Sequence, residues 1–256
     1  METSNQHWLW RLIGVYILSN SLACIAYATP ALDSNSSLKH NAKNGRDAYH
    51  TCALCHTPEG WGTEDGSYPQ LSGQHPNVLI KQLIDIKHGN RDVPTMMPFA
   101  NEVFDKGHLD FADMVIYISN LPMTPKNSIG KGDNLKIGKK LYTQHCESCH
   151  GTNAEGNNDN NFPLLQGQHY QYLLRQMQWI KNGIRKNGDA TMRLQIQVFT
   201  DVEIQAVADY VSRIKPNKDK VAKSSNWKNP DFHDDFVSVP DSKIKGTSNN
   251  KTEKQQ

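Results

Sequence analysis

Cys52-Ala53-Leu54-Cys55-His56 and Cys146-Glu147-Ser148-Cys149-His150 are the two stretches on which the reading of this chain turns. Each sets two thiols three positions apart and a histidine directly behind them. Around them lie 256 residues, enough for one or two compact domains. A formal net charge of +2 supplies no basic field, so no nucleic-acid partner is expected.

The two motifs stand at an offset of 94, and the offset persists beyond them. Pro69 matches Pro163, Leu71 matches Leu165, Gly73-Gln74-His75 matches Gly167-Gln168-His169, and Gln82 matches Gln176. Lys87, Gly89 and Arg91 match Lys181, Gly183 and Arg185. One inserted residue then brings Met97 opposite Met192, and two lost residues bring Tyr117 opposite Tyr210. Residues 45–121 and 138–214 are therefore two copies of one pattern, a duplicated domain.

Each copy predicts three helices joined by loops. Tyr49 and Tyr142 precede the motif by about a turn, which puts each motif at a helix end. Apolar residues recur at helical spacing over 77–88, with a twin over 170–182, and over 109–120, with a twin over 202–214. Gly89 and Gly183 are the expected helix stops. No alternating strand pattern stands out, so the fold class is all-α, two tandem domains over 38–124 and 130–215. Domains this small are marginal on apolar burial alone. Loops 57–68 and 151–162 are long, glycine-bearing and poor in core residues, so a bound group is expected to complete each core.

Outside the repeat, Arg11 precedes an apolar run from Leu12 to Ala26 that ends in Ala26-Tyr27-Ala28. Residues 1–28 read as a secretory signal peptide, with an uncleaved anchor as the rival. Cys24 lies inside this run, and Ser21 stands where a lipoprotein signal would carry leucine. The expected compartment is the periplasm, with peripheral membrane association left open. Residues 216–256 read as a polar, disordered tail. Trp227, Phe232 and Phe236 are its exception, suited to packing on the body or to serving as a docking arm.

Setting Cys24 aside, the remaining four cysteines all belong to the two motifs. Two thiols on one helical face can add to the two vinyl groups of a haem, and the following histidine then sits under the iron. Zinc needs four ligands at one site, but each pair lies in its own copy. A thiol–disulfide pair belongs beside a βαβ pattern, which the sequence lacks. Two covalent haems are the reading that accounts for both histidines.

Met97 and Met192 are the expected sixth ligands. Each lies in a predicted loop, seven residues before Phe104 or Phe199. A thioether there raises a haem potential and closes the sixth position. Met96 competes with Met97, which keeps the seven-residue spacing and precedes Pro98. His75 and His169 are better read as helix-start or surface residues than as ligands. The run Asn157–Asn161 is expected to be a solvated loop rather than a calcium site. Lys136, Lys139 and Lys140 form a basic cluster, on a solvated helix face or steering an acidic partner.

These elements together resemble the bacterial class I cytochromes c, and the duplication resembles their two-haem c-four type. The resemblance spans 45–214 and leaves the tail unmatched. It implies pseudo-twofold domains, haem propionates near the domain interface, and Pro69 and Pro163 carbonyls orienting the histidines. Cys52, Cys55, Cys146 and Cys149 would bind the haems, and His56, Met97, His150 and Met192 the irons. It implies an electron carrier rather than an enzyme, with a quinol-oxidising complex and a terminal oxidase or reductase as partners. A dedicated subunit of a dehydrogenase, such as a flavoprotein oxidising sulfide, is the second reading, and a dihaem peroxidase or reductase the third. The first copy departs from the pattern at Thr57, where the second has Gly151, and in its longer approach to the last helix over 105–108.

Overall fold

The computed structural model describes residues 40–105 and 107–240. The signal-peptide expectation for 1–28 and the last part of the tail, 241–256, lie outside the described residues. The first half holds α1 (Ala42–His56), α2 (Pro76–Lys87), α3 (Met97–Asp105) and α4 (His108–Asn120). The second holds α5 (Leu135–His145), α6 (Glu147–His150), α7 (Tyr170–Lys181), α8 (Ala190–Gln197) and α9 (Asp201–Ser212). Among the described residues extended pairing is limited to isolated bridges, so the all-α class holds.

The architecture is the same in each half. The helix that carries the motif crosses the last helix, α1 on α4 and α5 on α9. Glycine sits at each crossing because the backbones nearly touch. A Cβ on Gly45 would collide with the carbonyl of Asp113, and one on Gly138 with the carbonyl of Ala206. Tyr49, Met114, Val115 and Ile118 centre the first core. Tyr142, Ile204, Val207 and Ala208 centre the second. Gly89 and Gly183 follow the C-caps of α2 and α7 with φ of 73° and 69°, so the expected stops are left-handed turns.

Three expectations are corrected. The described residues form four helices in the first half and five in the second rather than three in each, because the methionine segments are α3 and α8 rather than loops and the second motif adds the short α6. Met97 is the first residue of α3, and Met192 lies in the first turn of α8, where the Asp189 side chain caps the Thr191 amide at 2.8 Å. The second motif does not ride on one helix. The spacing from Gly138 to Cys146 is one residue longer than that from Gly45 to Cys52, and α5 breaks at Cys146 (φ −118°, ψ −34°) to absorb it.

The third correction concerns the tail. Residues 216–240 are packed on the first half rather than loosely tethered. A parallel bridge pairs Met123 with Val221, with Met123 N–H donating to the Lys220 carbonyl at 2.8 Å. Phe232 stacks on His50 at 4.6 Å and meets Phe236 at 4.9 Å. Trp227 lies 5.9 Å from Trp61. Composition hid this, since three aromatics among many polar residues give no period.

The halves join about a twofold relation that the hydrogen bonds repeat. Gln74 accepts from the Leu164 amide at 3.0 Å and donates to the Leu164 carbonyl at 2.9 Å. Its counterpart Gln168 accepts from the Gln70 amide at 3.0 Å and donates to the Gln70 carbonyl at 2.9 Å. Gln70 and Leu164 are themselves 94 apart. Met123, fully buried in the connecting segment, lies against both Gly73 and Gly167, so the same symmetric pair of glycines makes room for one side chain.

Candidate haem sites

The last turn of α1 presents Cys52, Cys55 and His56 together, and α6 with its cap presents Cys146, Cys149 and His150. Among the described residues none of the four motif cysteines is in a disulfide, so each sulfur is available for a covalent link to haem. Burial, and then the neighbouring Cys149, pushes the Cys146 thiol up to about 12. Cys149 is exposed.

Both histidines are buried and locked. His56 Nδ1 lies 2.9 Å from the Pro69 carbonyl, and His150 Nδ1 lies 3.1 Å from the Pro163 carbonyl. A carbonyl only accepts, so Nδ1 carries the proton and Nε2 keeps its lone pair for a metal. Burial pushes both imidazoles below the usual histidine range, outweighing the carbonyl, which favours the neutral ring that ligation needs. Tyr49 and Tyr142 hold the turn behind each histidine, donating to the carbonyls of Thr57 at 2.8 Å and Gly151 at 2.5 Å.

Met192 is half-buried against the core cluster that also touches Cys146. Met96 and Met97 are both half-buried at the start of α3.

His75 and His169 take the N-cap positions of α2 and α7, as their helix-start reading expects, but His169 is a buried interface residue rather than a surface one. His75 Nε2 donates to the Glu155 carbonyl at 2.7 Å, and His169 Nε2 donates to the Trp61 carbonyl at 2.8 Å. Glu155 and Trp61 again differ by 94, so the pair obeys the twofold relation. His169 Nδ1 accepts from the Ser128 amide at 3.1 Å, and burial lowers its proton affinity, so the ring is neutral. The run Asn157–Asn161 forms a turn closed by Phe162, and Asn158 accepts from the α2 amide of Asn77 at 3.1 Å. Lys136, Lys139 and Lys140 are exposed on α5.

Sequence reasoning missed the partly buried arginine pair between the halves. Arg91 donates to Gln82 at 2.9 Å and across the interface to Tyr172 at 3.0 Å and Gln176 at 3.2 Å. Arg185 mirrors it, donating to Gln176 at 2.8 Å and to Gln82 at 3.1 Å. Among the described residues neither is in an ion pair with a carboxylate. Burial and then Arg91 push the Arg185 guanidinium down to about 10. Burial drives Tyr172 upward, but Arg91, Arg185 and Arg175 together hold it below the usual phenol range. The signal for this pair was the repeated arginine itself.

Comparison with known proteins places the chain. The cytochrome c family model matches residues 135–215. Cytochrome c4 of Azotobacter vinelandii is 30% identical over 188 residues, 67% of this chain and 88% of that protein. A thiosulfate dehydrogenase electron acceptor of Stutzerimonas stutzeri is 28% identical, covering 80% of this chain and 94% of its own. The crystal structure of reduced recombinant cytochrome c4 from Pseudomonas stutzeri superposes with a TM-score of 0.58 at 28% identity, over 67% of this chain and 97% of that one.

The chain belongs to the cytochrome c4 family, the two-haem class I cytochromes c. It carries covalent haem c and transfers electrons, and it is a carrier rather than an enzyme. The donor set fits that group at both places: two thiols three residues apart, then an imidazole whose Nδ1 is occupied by a carbonyl.

Proposed function

We propose that the chain is a periplasmic shuttle with one haem in each domain, 38–124 and 130–215. Cys52 and Cys55 bind the first haem, with His56 and Met97 on its iron. Cys146 and Cys149 bind the second, with His150 and Met192. The observation that carries this reading is the repeated lock of His56 and His150 by the Pro69 and Pro163 carbonyls. Bound haem supplies a one-electron Fe(III)/Fe(II) couple, and sulfur ligation closes the sixth position to small molecules. The protein fixes each imidazole angle, excludes water with its buried cores, and holds the domains in one register through the Gln74 and Gln168 contacts.

Residues 1–28 support export, and among the described residues no helix is long and apolar enough to cross a membrane. A quinol-oxidising complex as donor and a terminal oxidase or reductase as acceptor fit a carrier of this kind. The similarity to a thiosulfate dehydrogenase electron acceptor favours a second reading, in which a dehydrogenase delivers the electrons.

The test is an absorption spectrum of the oxidised holoprotein with covalent haem counted per chain. Two low-spin haems with the weak red band of sulfur-ligated ferric iron are expected. Met192→Ala and Met97→Ala should each remove about half of that band. An unchanged spectrum for Met97→Ala would move the ligand to Met96, and one high-spin haem in the unaltered protein would sink the closed-site reading.

A further inference from the structure

Thr57 follows His56 and sits at φ 68°, where a β-branched residue is an outlier. Its counterpart Gly151 sits at φ 81° without a Cβ to clash. Backbone strain of this kind persists only where the surroundings over-determine the conformation. From inside, Tyr49 holds the Thr57 carbonyl at 2.8 Å, as Tyr142 holds that of Gly151. From outside, the first turn is also held by residues 227–229.

Asn229, 3% exposed, donates from Nδ2 to the Pro58 carbonyl at 2.7 Å and to the Tyr117 hydroxyl at 2.9 Å. Lys228 Nζ lies 3.5 Å from the buried Glu59 carboxylate, and Trp227 packs on Trp61. Residues 58, 59 and 61 are thus each touched by a residue from 227–229. The segment is anchored on both sides of these contacts. Val221 bridges to Met123 on one side. On the other, Asp231 accepts from Tyr117 at 3.0 Å and pairs with Arg46 at 3.6 Å. Among the described residues none of 216–237 hydrogen-bonds to Gly151–Glu155, the matching turn of the second half.

We propose that residues 216–240 are a clamp dedicated to the first haem domain, holding the turn 57–61 behind His56 so that the imidazole keeps its angle and the histidine side of that haem stays dry. Asn229 is its main positioning residue. The inference rests on His56 as an iron ligand. Burial disfavours the ferric form, which carries one more positive charge than the ferrous. Residues 216–240 hold four lysines and four aspartates, so their charges cancel and the change in solvent access decides the sign. Loss of the clamp therefore lowers the potential of the first haem and leaves that of the second in place.

The experiment is a redox titration of the dihaem protein lacking residues 216–240, with 241–256 retained so that the net charge is unchanged, against the full chain. Both are also made with Met192→His, which moves the second haem far down in potential and leaves the first to be read alone. A downward shift confined to the first haem is the expected result. No shift, or an equal shift of both haems, overturns the clamp. If Met192→His itself moves neither potential, the ligand assignment has failed, and the shortened chain still shows whether one haem or both respond. Should the short chain not assemble, Asn229→Ala in the full chain is expected to shift the same haem in the same direction. Thr57→Gly, which relieves the strained position, should restore part of that shift. An Asn229→Ala protein with unchanged potentials also overturns the clamp.

Discussion

At the scale of single residues, two glycines decide whether either domain can close. Gly45 and Gly138 stand where the motif-bearing helix meets the backbone of the last helix, and a methyl group at either has no room. The obstacle is a carbonyl oxygen rather than the end of a flexible side chain, so the helices must separate to admit it. Overpacking of this kind costs about 1–3 kcal/mol. Gly138→Ala is expected to lower the stability of the second domain by that amount and to leave the haem count at two per chain. Thermal unfolding followed at the second domain checks it, and an unchanged midpoint would show that the crossing is looser than the structure has it.

Among the elements, α9 has the best-defined start. Thr200 accepts from the Glu203 amide at 3.2 Å, and Glu203 accepts from the Thr200 amide at 2.8 Å, a reciprocal capping box. Thr200→Ala should cost about 1 kcal/mol at neutral pH. The Thr200 backbone and side-chain donors hold the exposed Glu203 carboxyl below its ordinary value of 4.5. A depressed carboxylate contributes stability that is present above that ordinary value and lost as pH falls through the folded one. Unfolding midpoints of the wild type should therefore fall in acid, and Glu203→Gln should flatten that part of the profile. Parallel profiles for the two proteins would remove Glu203 from the cap. The duplicated helices around α9 were legible in the sequence because period and offset agree in both copies. Helices α3 and α8 were not, because they span 9 and 8 residues, and a proline on each side of Met96-Met97 reads as a loop. Pro98 is in fact tolerated in a first turn, where its missing N–H has no helical partner. The break at Cys146 was foreshadowed only by one surplus residue.

For the molecule as a whole, the decisive contacts were half-legible. Gly-Gln-His recurs in both copies, yet nothing in a glutamine announces that it will bond the backbone of the other domain. The bonds of Gln74 and Gln168 satisfy an amide and a carbonyl each, at or near buried Gln70 and Leu164. Removing one side chain leaves a pair of backbone groups without partners, at about 1–3 kcal/mol for a buried group. The two sites are related by the twofold, so the penalties fall on one interface rather than on either core. Gln74→Ala with Gln168→Ala should then spare each haem domain and weaken their union. Calorimetry of the full-length holoprotein is expected to show a single transition in the wild type and two in the double variant, with each single variant between them. One transition at the wild-type temperature in the double variant would mean that the Arg91 and Arg185 cluster, together with Met123 seated between Gly73 and Gly167, is enough to hold the domains in register.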